Sequence, residues 1–415
     1  MLRTWFEIPL WQRVITALIL GVLTGWAWGP EAENIKWIGD FFIKSIKMLV
    51  VPLIFFSLVA GVAAIGDLRK LGAVGGRALL LFVVTGQIAV WLGLALGTLA
   101  TNLQLFPTKE TLGTPSVPTP EPNPTTAVDM ILSIVPESPV QVMADVAVLP
   151  LIVFSLLVGI GILMAKEEGE PVQKIFDSGA VVMQKVTMIV MEITPFGVFA
   201  LMAWVAGTMG IEALKALGWL VFFNYAGCLL IIFGMYSAMI KLLAKLPVKD
   251  FFRGIIDAMA VSYSTASSNA TLPVTLRCAE RNLGVSNSVA AFVISLGATV
   301  NMNGTAMYLG LATLFGAQIF GVDLTMGQYF LISILATLGA VGAAGIPGAG
   351  LIMMALVFGA VGVPLETIAF VAGVDRIMDM MRTTTNVSGD AAVATTVAVM
   401  TGEIDRAEMV SADDV

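Results

Sequence analysis

The sequence of 415 residues contains no histidine. Histidine-based catalysis, histidine proton relays and histidine metal ligands are therefore excluded. Only two cysteines are present, Cys228 and Cys278, and they lie in different segments, which indicates neither a disulfide framework nor a thiolate metal site. The net charge of −7 gives no support to nucleic acid as a partner.

Charged residues are also scarce. They make up 12% of the chain, about half the roughly 25% of a soluble domain, while 58% of the residues are hydrophobic and the mean hydropathy is +0.92. Met1–Gln12 leads directly into an apolar stretch long enough to span a bilayer, so no cleavable signal peptide is expected. The composition predicts an all-α, multispanning membrane protein in contact with the lipid bilayer.

Eight apolar segments are long enough to cross a bilayer, which takes about 20 residues. They are Leu10–Gly29, Ile35–Ile65, Ala78–Leu103, Val146–Ala165, Ile175–Gly207, Leu214–Leu243, Val289–Phe320 and Ala360–Met400. Several exceed the required length, which predicts tilted helices.

Two further apolar stretches are interrupted in the middle. Phe251–Leu276 is broken at Ser262–Pro273, and Met326–Phe358 is broken at Gly339–Gly350. Backbone that leaves a helix inside a bilayer must be covered by protein or line a wet cavity. Each stretch is therefore predicted to be a re-entrant helical hairpin with its tip at a site, the alternative being a kinked full span.

Loops rich in lysine and arginine alternate along the chain with loops that are poor in them. In membrane proteins the loops rich in these residues face the cytoplasm. The rich positions are Arg3, Arg13, Arg69, Lys70, Arg77, Lys166, Lys174, Lys241, Lys245, Lys249 and Arg253. This pattern predicts a plasma-membrane protein with both termini in the cytoplasm. The first hairpin would enter from the cytoplasm and the second from outside.

Polar and charged residues concentrate in one stretch, Gly373–Asp390, which lies inside the last apolar segment. Five of them follow helical steps of 4, 3, 4 and 4 and so share one face: Asp375, Asp379, Arg382, Asn386 and Asp390. Arg376 falls off this stripe. Ionisable groups at bilayer depth are a functional hypothesis by default.

The chemistry of the stripe suits a zwitterion. An arginine can bind a carboxylate, one aspartate an ammonium group and another aspartate a cation. The alternative is a set of buried ion pairs that only stabilise the helix bundle.

The second half of the chain looks duplicated. Each hairpin precedes a span that carries an amide and hydroxyl motif, Asn301–Thr305 after the first and Arg382–Asn386 after the second. Both motifs are predicted to break their spans. Two such units entering from opposite sides form an inverted repeat, with substrate and ions between them.

Four motifs together resemble the glutamate/aspartate transporter family, the dicarboxylate/amino-acid:cation symporters. They are Met48–Val62 (MLVVPLIFFSLVAGV), Ser267–Thr275 (SSNATLPVT), Asn301–Thr305 (NMNGT) with Gly345–Gly350 (GIPGAG), and Asp375–Asp390. The resemblance covers nearly the whole chain. It implies eight spans and two re-entrant hairpins in a homotrimer, with an elevator mechanism in which the second hairpin is the gate.

The resemblance also implies a division into a scaffold part and a transport part. The scaffold would comprise residues 1–72 and 146–210, and the loop 105–145 would be extracellular. The transport part would comprise residues 73–104, 211–248 and the core 249–415.

Substrate contacts follow from the resemblance residue by residue. Arg382 would bind the side-chain carboxylate and Asp379 the ammonium group, with hydrogen bonds from Thr383 and Asn386. The backbone of Ser268 and the second tip, from Ile346 to Gly350, would hold the α-carboxylate, and Thr305 would lie near the substrate side chain. Dicarboxylate carriers of the family lack an aspartate like Asp379, so aspartate or glutamate is the expected substrate.

Sodium contacts follow in the same way. A first site would use Asp390 with the backbone of Gly297, Asn301 and Asn386. A second site would use backbone carbonyls of Thr299 and of the second hairpin from Ala340 to Ala343.

A third sodium site of the family is altered in this chain. Its carboxylate and two of its hydroxyl positions read Asn303, Phe82 and Gly86, with Thr85 retained. A buried cation needs formal charge or many oxygens, so sodium coupling is expected to be reduced.

A proton-coupled carrier of acidic amino acids or of dicarboxylates is the alternative. The position of the family's proton-carrying acid reads Leu309, which leaves Glu192 as another candidate, or as an interfacial residue at a helix break.

Other functional classes fit less well. An anion channel requires a continuous pore lining, whereas these polar groups converge on one pocket. An intramembrane hydrolase requires a nucleophile and a base, and the chain offers no histidine and one aspartate-rich span. The sequence therefore favours a transporter over an enzyme.

Overall fold

The computed structural model describes residues 8–70, 72–108, 111, 135–145, 148–341, 345 and 347–406. Over these residues the chain is almost entirely helical and forms no β-strand, with one isolated bridge between Val285 and Ile404. The predicted all-α class is confirmed.

Short 3₁₀ and π turns join some of the helices. In chain order the α-helices are α1 (Leu10–Trp28), α2 (Lys36–Lys70), α3 (Ala73–Asn102), α4 (Pro139–Ala144), α5 (Val148–Ala165), α6 (Glu170–Met191), α7 (Thr194–Trp204), α8 (Gly210–Leu229), α9 (Ser237–Met239), α10 (Val248–Gly254), α11 (Ile256–Thr265), α12 (Ser268–Arg277), α13 (Asn287–Val300), α14 (Asn303–Phe320), α15 (Met326–Val341), α16 (Ala349–Val361) and α17 (Glu366–Thr401).

Several helical runs are suited to a bilayer. Within the described residues, four are long and apolar enough to cross it: Leu10–Ala63, Ala73–Asn102, Thr194–Ala244 and Asn287–Phe320. Large apolar side chains such as Trp26, Trp37 and Met164 are more than 60% exposed, as expected for a surface that meets lipid rather than water. The helices confirm a multi-pass membrane protein.

Helix α17 lies at the centre of the fold and is buried from Thr367 to Ala398. Helices α7, α8, α11, α13 and α14 pack around it. The predicted break at Arg382–Asn386 is wrong, because α17 runs through this motif without interruption. The motif lacks glycine and proline, and the hydroxyls of Thr384 and Thr385 donate to carbonyls four residues back, so they bond within the helix.

The two predicted hairpins are interrupted where their sequences indicate. In the first, α11 ends at Thr265, Ala266 adopts a left-handed conformation with φ of 50°, and α12 begins at Ser268. In the second, α15 ends at Val341 and α16 begins at Ala349, with Gly345 and Gly348 at positive φ. The two arms of each hairpin pack against each other.

Two of the predicted spans are divided. The predicted break in Asn301–Thr305 is confirmed, because α13 ends at Val300 and α14 begins at Asn303. The predicted span Ile175–Gly207 is two helices, since α6 ends at Met191 and α7 starts with Pro195 in its first turn. Proline suits the first turn of a helix because its missing N–H has no partner there in any case.

The helices form two packing groups. Helices α1, α2, α5, α6 and α7 pack against one another. A second group is formed by α3, α8, α11 to α14 and α16, which pack against α17, together with α15, which packs against α3, α14 and α16. The second hairpin lies between the groups, with α16 buried against α2 and α5. The first hairpin is more open, with Ile256 and Tyr263 of α11 exposed by 53% and 38%.

Candidate functional site

A small cavity lies where both hairpin breaks, the break before α14 and helix α17 meet. It is lined by Ser268, Met302, Thr305, Gly345, Ala349, Gly350, Asp379, Thr383 and Asn386. The sequence predicted seven of these, Ala349 as part of the tip from Ile346 to Gly350, and missed Met302 and Gly345. Neither carries a polar side-chain group that a sequence pattern could single out.

Arg382 is fully buried beside this cavity. Its Nη2 donates to Asp375 Oδ1 at 2.8 Å and to Asp379 Oδ1 at 2.9 Å. Its Nε and Nη1 have no hydrogen-bond partner within the described part of the chain. Because an unmet buried donor is costly, these N–H groups would favour an anion that reached them.

Glycine at position 350 brings the second hairpin against this guanidinium. A Cβ atom at Gly350 would lie 3.1 Å from Arg382 Cζ and Nη1. That separation is tighter than ordinary contact, so a larger residue would displace either the hairpin or the arginine. The arginine thus lies directly behind the tip of the hairpin.

Tyr308 of α14 completes the arginine's surroundings. Its ring centroid is 3.7 Å from Arg382 Cζ, which is a cation–π contact, and its hydroxyl donates to Asp375 Oδ1 at 2.9 Å. Tyr308 is not among the residues predicted from the sequence. Its spacing was a usable signal, because Tyr308 follows Thr305 by three residues on the same helix face.

Asp379 joins α17 to the second hairpin. Its Oδ1 accepts from Arg382, and its Oδ2 accepts from the backbone N–H of Gly348 at 2.9 Å. The side chain lines the cavity and is 8% exposed. This carboxylate would suit a ligand ammonium group, and it lies next to the Arg382 donors that would suit an anion.

Hydrogen bonds join the tips of the two hairpins. The carbonyl of Gly345 accepts from Ser267 Oγ at 3.0 Å and from the backbone N–H of Asn269 at 3.2 Å. A Cβ atom at Gly345 would overlap the carbonyl oxygen of Ala298, so only glycine fits there, at φ of 60°. Ser268, between the bonded residues, is held at the wall of the cavity.

Asn386 links α17 to the start of α14. Its Oδ1 accepts from the backbone N–H of Gly304 at 2.7 Å, and its Nδ2 lies 3.5 Å from Thr305 Oγ1. Thr383 lies one turn before it at the cavity wall. The substrate residues predicted from sequence and described by the structure therefore gather at one place.

Three of the residues predicted for the first cation site, Gly297, Asn301 and Asp390, lie together. Asn301 Nδ2 donates to Asp390 Oδ1 at 2.9 Å, and Gly297 lies so close to this carboxylate that a Cβ atom would clash with it. Asn301 Oδ1 is buried and has no partner among the described residues. A carboxylate with an unpartnered amide oxygen suits a hard cation, which prefers oxygen ligands.

Only one carboxylate serves this position. Across the described ranges, no group of three or more cysteine, aspartate or glutamate side chains is arranged to hold a metal ion. A cation at Asp390 would therefore depend on one formal charge and on neutral oxygens. This favours a monovalent over a divalent ion.

The predicted second cation site is only partly described. Thr299 lies at the end of α13 with its hydroxyl on the carbonyl of Leu296, and Ala340 is buried at the end of α15. Ala343, and Ile346 of the predicted substrate contacts, lie outside the described residues.

The altered third position holds a hydrogen-bonded amide. Asn303 Nδ2 donates to Thr85 Oγ1 at 3.1 Å and to the hydroxyl of Tyr236 at 2.9 Å. Phe82 and Gly86 line an adjacent cavity with an empty volume of about 280 Å³. The amide thus presents N–H donors where a carboxylate would present oxygens to a cation.

Glu192 lies apart from these groups at the break between α6 and α7. Its carboxylate forms an ion pair with Arg13 of α1, with Nη1 and Oε2 2.7 Å apart. The Glu192 side chain is 42% exposed, whereas that of Arg13 is buried. This geometry is that of an interfacial residue at a helix break, the alternative to a role for Glu192 in proton coupling.

A buried polar cavity enclosed by interrupted helices defines the class of this molecule, a multi-pass membrane transport protein. The chain belongs to the sodium:dicarboxylate symporter family, whose family model matches residues 10–400. The predicted family resemblance is confirmed. Members of this family are transporters rather than enzymes.

Relatives with different substrates match the chain about equally well. It is 34% identical over 395 residues to a proton/sodium-glutamate symport protein of Geobacillus stearothermophilus, covering 94% of this chain and 93% of the relative. It is 35% identical over 403 residues to a C4-dicarboxylate transport protein of Bacillus subtilis, covering 96% and 95%. It is 34% identical over 417 residues to a proton/glutamate-aspartate symporter of Escherichia coli, covering 95% and 93%.

Proposed function

We propose that this protein is a secondary active symporter that moves aspartate or glutamate into the cell together with cations. The observation that carries the proposal is that Arg382 and the carboxylate of Asp379 lie together at one small cavity, with Arg382 Nε and Nη1 lacking hydrogen-bond partners among the described residues. One side chain complements a ligand carboxylate and the other a ligand ammonium group.

Asp379 distinguishes the amino-acid reading from the dicarboxylate alternative. A C4-dicarboxylate would bring a second carboxylate and no ammonium group to a cavity wall that already carries this aspartate. Repulsion between the two anions would then reduce binding. The relatives include carriers of both kinds, so the preference rests on this side chain.

Coupling is proposed to use sodium at the Asp390 position, with backbone ligands of the second position contributing. The neutral amide of Asn303 leaves the third position without formal charge, so fewer sodium ions would accompany each substrate. Proton coupling is the second candidate. No acidic side chain stands at Leu309, which is buried and apolar.

The two packing groups support the proposed division of labour. Helices of residues 1–72 and 146–210 would form the scaffold of a homotrimer. Residues 73–104, 211–248 and 249–415 would form an elevator-type transport part, with 105–145 as an extracellular loop. With the second hairpin covered by α2 and α5 and the first exposed, the structure would correspond to a cytoplasm-facing state.

Competition between aspartate and succinate tests the substrate assignment. Succinate keeps both carboxylates but lacks the ammonium group, so it should bind the purified protein at least about tenfold more weakly than aspartate, about 1.4 kcal/mol. The Asp379→Asn variant is the matched control and should reduce this preference. Equal competition by the two ligands against labelled aspartate would instead favour a dicarboxylate carrier.

A further inference from the structure

Arg376 is a buried cation that the proposed substrate site does not use. It follows Asp375 on α17 but lies off the polar stripe, does not line the substrate cavity and is only 8% exposed. A buried arginine inside a membrane protein is costly unless it has a partner or a role. Its side chain therefore needs an explanation of its own.

The guanidinium reaches the tip of the first hairpin. Arg376 Nη2 donates to the backbone carbonyl of Thr265 at 3.1 Å. Thr265 is the last residue of α11, where helix carbonyls lack partners within the helix and a positive charge is favoured by the helix dipole. The chain then turns through Ala266 in a left-handed conformation.

This contact lies three residues before the cavity wall. Thr265 Oγ1 accepts from the backbone N–H of Ser267 at 3.3 Å and lies 3.3 Å from Thr271 Oγ1, so the tip is bonded internally. Ser268 follows and lines the cavity. The contact between Thr265 and Arg376 therefore links Ser268 of the first hairpin to α17, the helix that carries Asp379.

The hydrogen bonding of Arg376 is incomplete. Its Nε is buried without a partner in the described part of the chain, so the guanidinium is not held by a fully satisfied network. The carbonyl of Thr265 is the hydrogen-bond acceptor that the structure gives to it. The burial cost of this arginine is thus offset at the hairpin tip.

We infer that Arg376 is a positioning residue, which docks the tip of the first hairpin on α17 and thereby fixes the backbone at Ser268 that would hold the substrate's α-carboxylate. The substrate part of this inference rests on the proposed function. The docking part does not, because it concerns a contact present without a ligand.

The test compares Arg376→Met, which removes the charge and the donor, with Arg376→Lys, which keeps both. Backbone amide hydrogen exchange at residues 264–269 is measured on the purified full-length protein without ligand. Exchange should accelerate about fivefold in the Met variant, the effect of losing about 1 kcal/mol, and stay near wild type in the Lys variant. Arg277→Met, which breaks an exposed pair with Asp257 on the same hairpin, should leave these amides unchanged.

Calorimetry supplies the second readout. Aspartate and succinate share the carboxylate that the tip would hold. Arg376→Met should therefore weaken the binding of both ligands by a similar factor of about ten, and Arg376→Lys should bind them nearly as well as wild type. Arg376→Gln, too short to reach Thr265, replaces the Met variant if that protein does not fold.

The two readouts separate two failures. Unchanged exchange at residues 264–269 in Arg376→Met would overturn the docking role whatever the substrate is. Faster exchange with unchanged affinity for both ligands would overturn the link to the α-carboxylate. A tenfold change in the ratio of the aspartate affinity to the succinate affinity would overturn it as well. A wild-type protein that binds neither ligand would refute the proposed function, and the exchange data would still decide the docking.

Discussion

At the scale of single residues, Arg382 shows how a charge is kept inside the bundle. Asp375 and Asp379 neutralise it, and the ring of Tyr308 covers one face of the guanidinium. Two N–H groups still have no partner among the described residues, although the side chain is fully buried. The two aspartates neutralise the charge of Arg382 but do not use all of its hydrogen-bond donors, so donors remain for a ligand anion.

Arg382→Ala should therefore abolish tight binding of aspartate. The expected loss is about 2–5 kcal/mol, the usual range for truncating one partner of a buried charge pair. Calorimetric titration of the purified variant measures it, with thermal unfolding as the control for folding. A loss of less than about 1.4 kcal/mol, or tenfold, would show that Arg382 does not bind the substrate.

At the scale of elements, clusters of small and polar residues marked the breaks that the sequence predicted correctly. The hairpin interruptions coincide with Ala266 and with Gly345 and Gly348, and the break between α13 and α14 precedes the asparagine–glycine pair of Asn303 and Gly304. The motif Arg382–Asn386 looked similar in composition but stayed helical, because threonine hydroxyls can bond to the preceding turn. Sequence spacing cannot distinguish a hydroxyl that caps a break from one that bonds within a helix.

Two substitutions between α3 and α14 test the third cation site that the family resemblance implies. A Cβ atom at Gly86 would lie 3.6 Å from Asn303 Oδ1 and 3.8 Å from Thr337 Cγ2, ordinary contact distances, so there is room for a Cβ atom. The double variant Asn303→Asp with Gly86→Ser would restore a carboxylate and a hydroxyl beside Thr85 and Tyr236. These oxygens suit a buried cation.

The double variant should steepen the sodium dependence of aspartate binding. Each sodium ion bound with the substrate adds one unit to the slope of log affinity against log sodium. The wild-type slope should therefore lie below about 3, and the slope of the double variant should be about 1 higher. Titrations at constant ionic strength measure the slope. Asn303→Asp with Gly86→Ala is the matched control without the new hydroxyl, and a wild-type slope of about 3 would contradict the account of the third site.

At the scale of the whole molecule, small residues allow the two packing groups to approach closely. Met191 of α6 lies against Gly348 of the second hairpin, and Met202 of α7 lies against Gly373 of α17, both so close that a Cβ atom on the glycine would clash. A flexible thioether adapts well to such contacts. These contacts join the proposed scaffold to the proposed transport part near the substrate site.

The sequence predicted the class, the hairpins and most of the cavity residues, because the cost of charge and of broken backbone in a bilayer leaves a clear signal. It did not predict the Tyr308 contact, the bond between the hairpin tips at Gly345 or the pairing of Glu192 with Arg13. These contacts join residues that lie far apart in the chain or involve backbone groups. Helical spacing places Tyr308 on the face of Thr305, but no periodic pattern identifies the partner in any of these contacts.

The most direct test of a cation-coupled acidic amino-acid symporter is uptake of labelled aspartate into proteoliposomes. Uptake is compared under an inward sodium gradient, an inward proton gradient and no gradient, with Asp390→Asn as the variant that removes the cation carboxylate. Concentrative uptake should follow the sodium gradient in wild type and be lost in the variant. Aspartate entry at the same rate without any gradient, and never above the external concentration, would contradict symport.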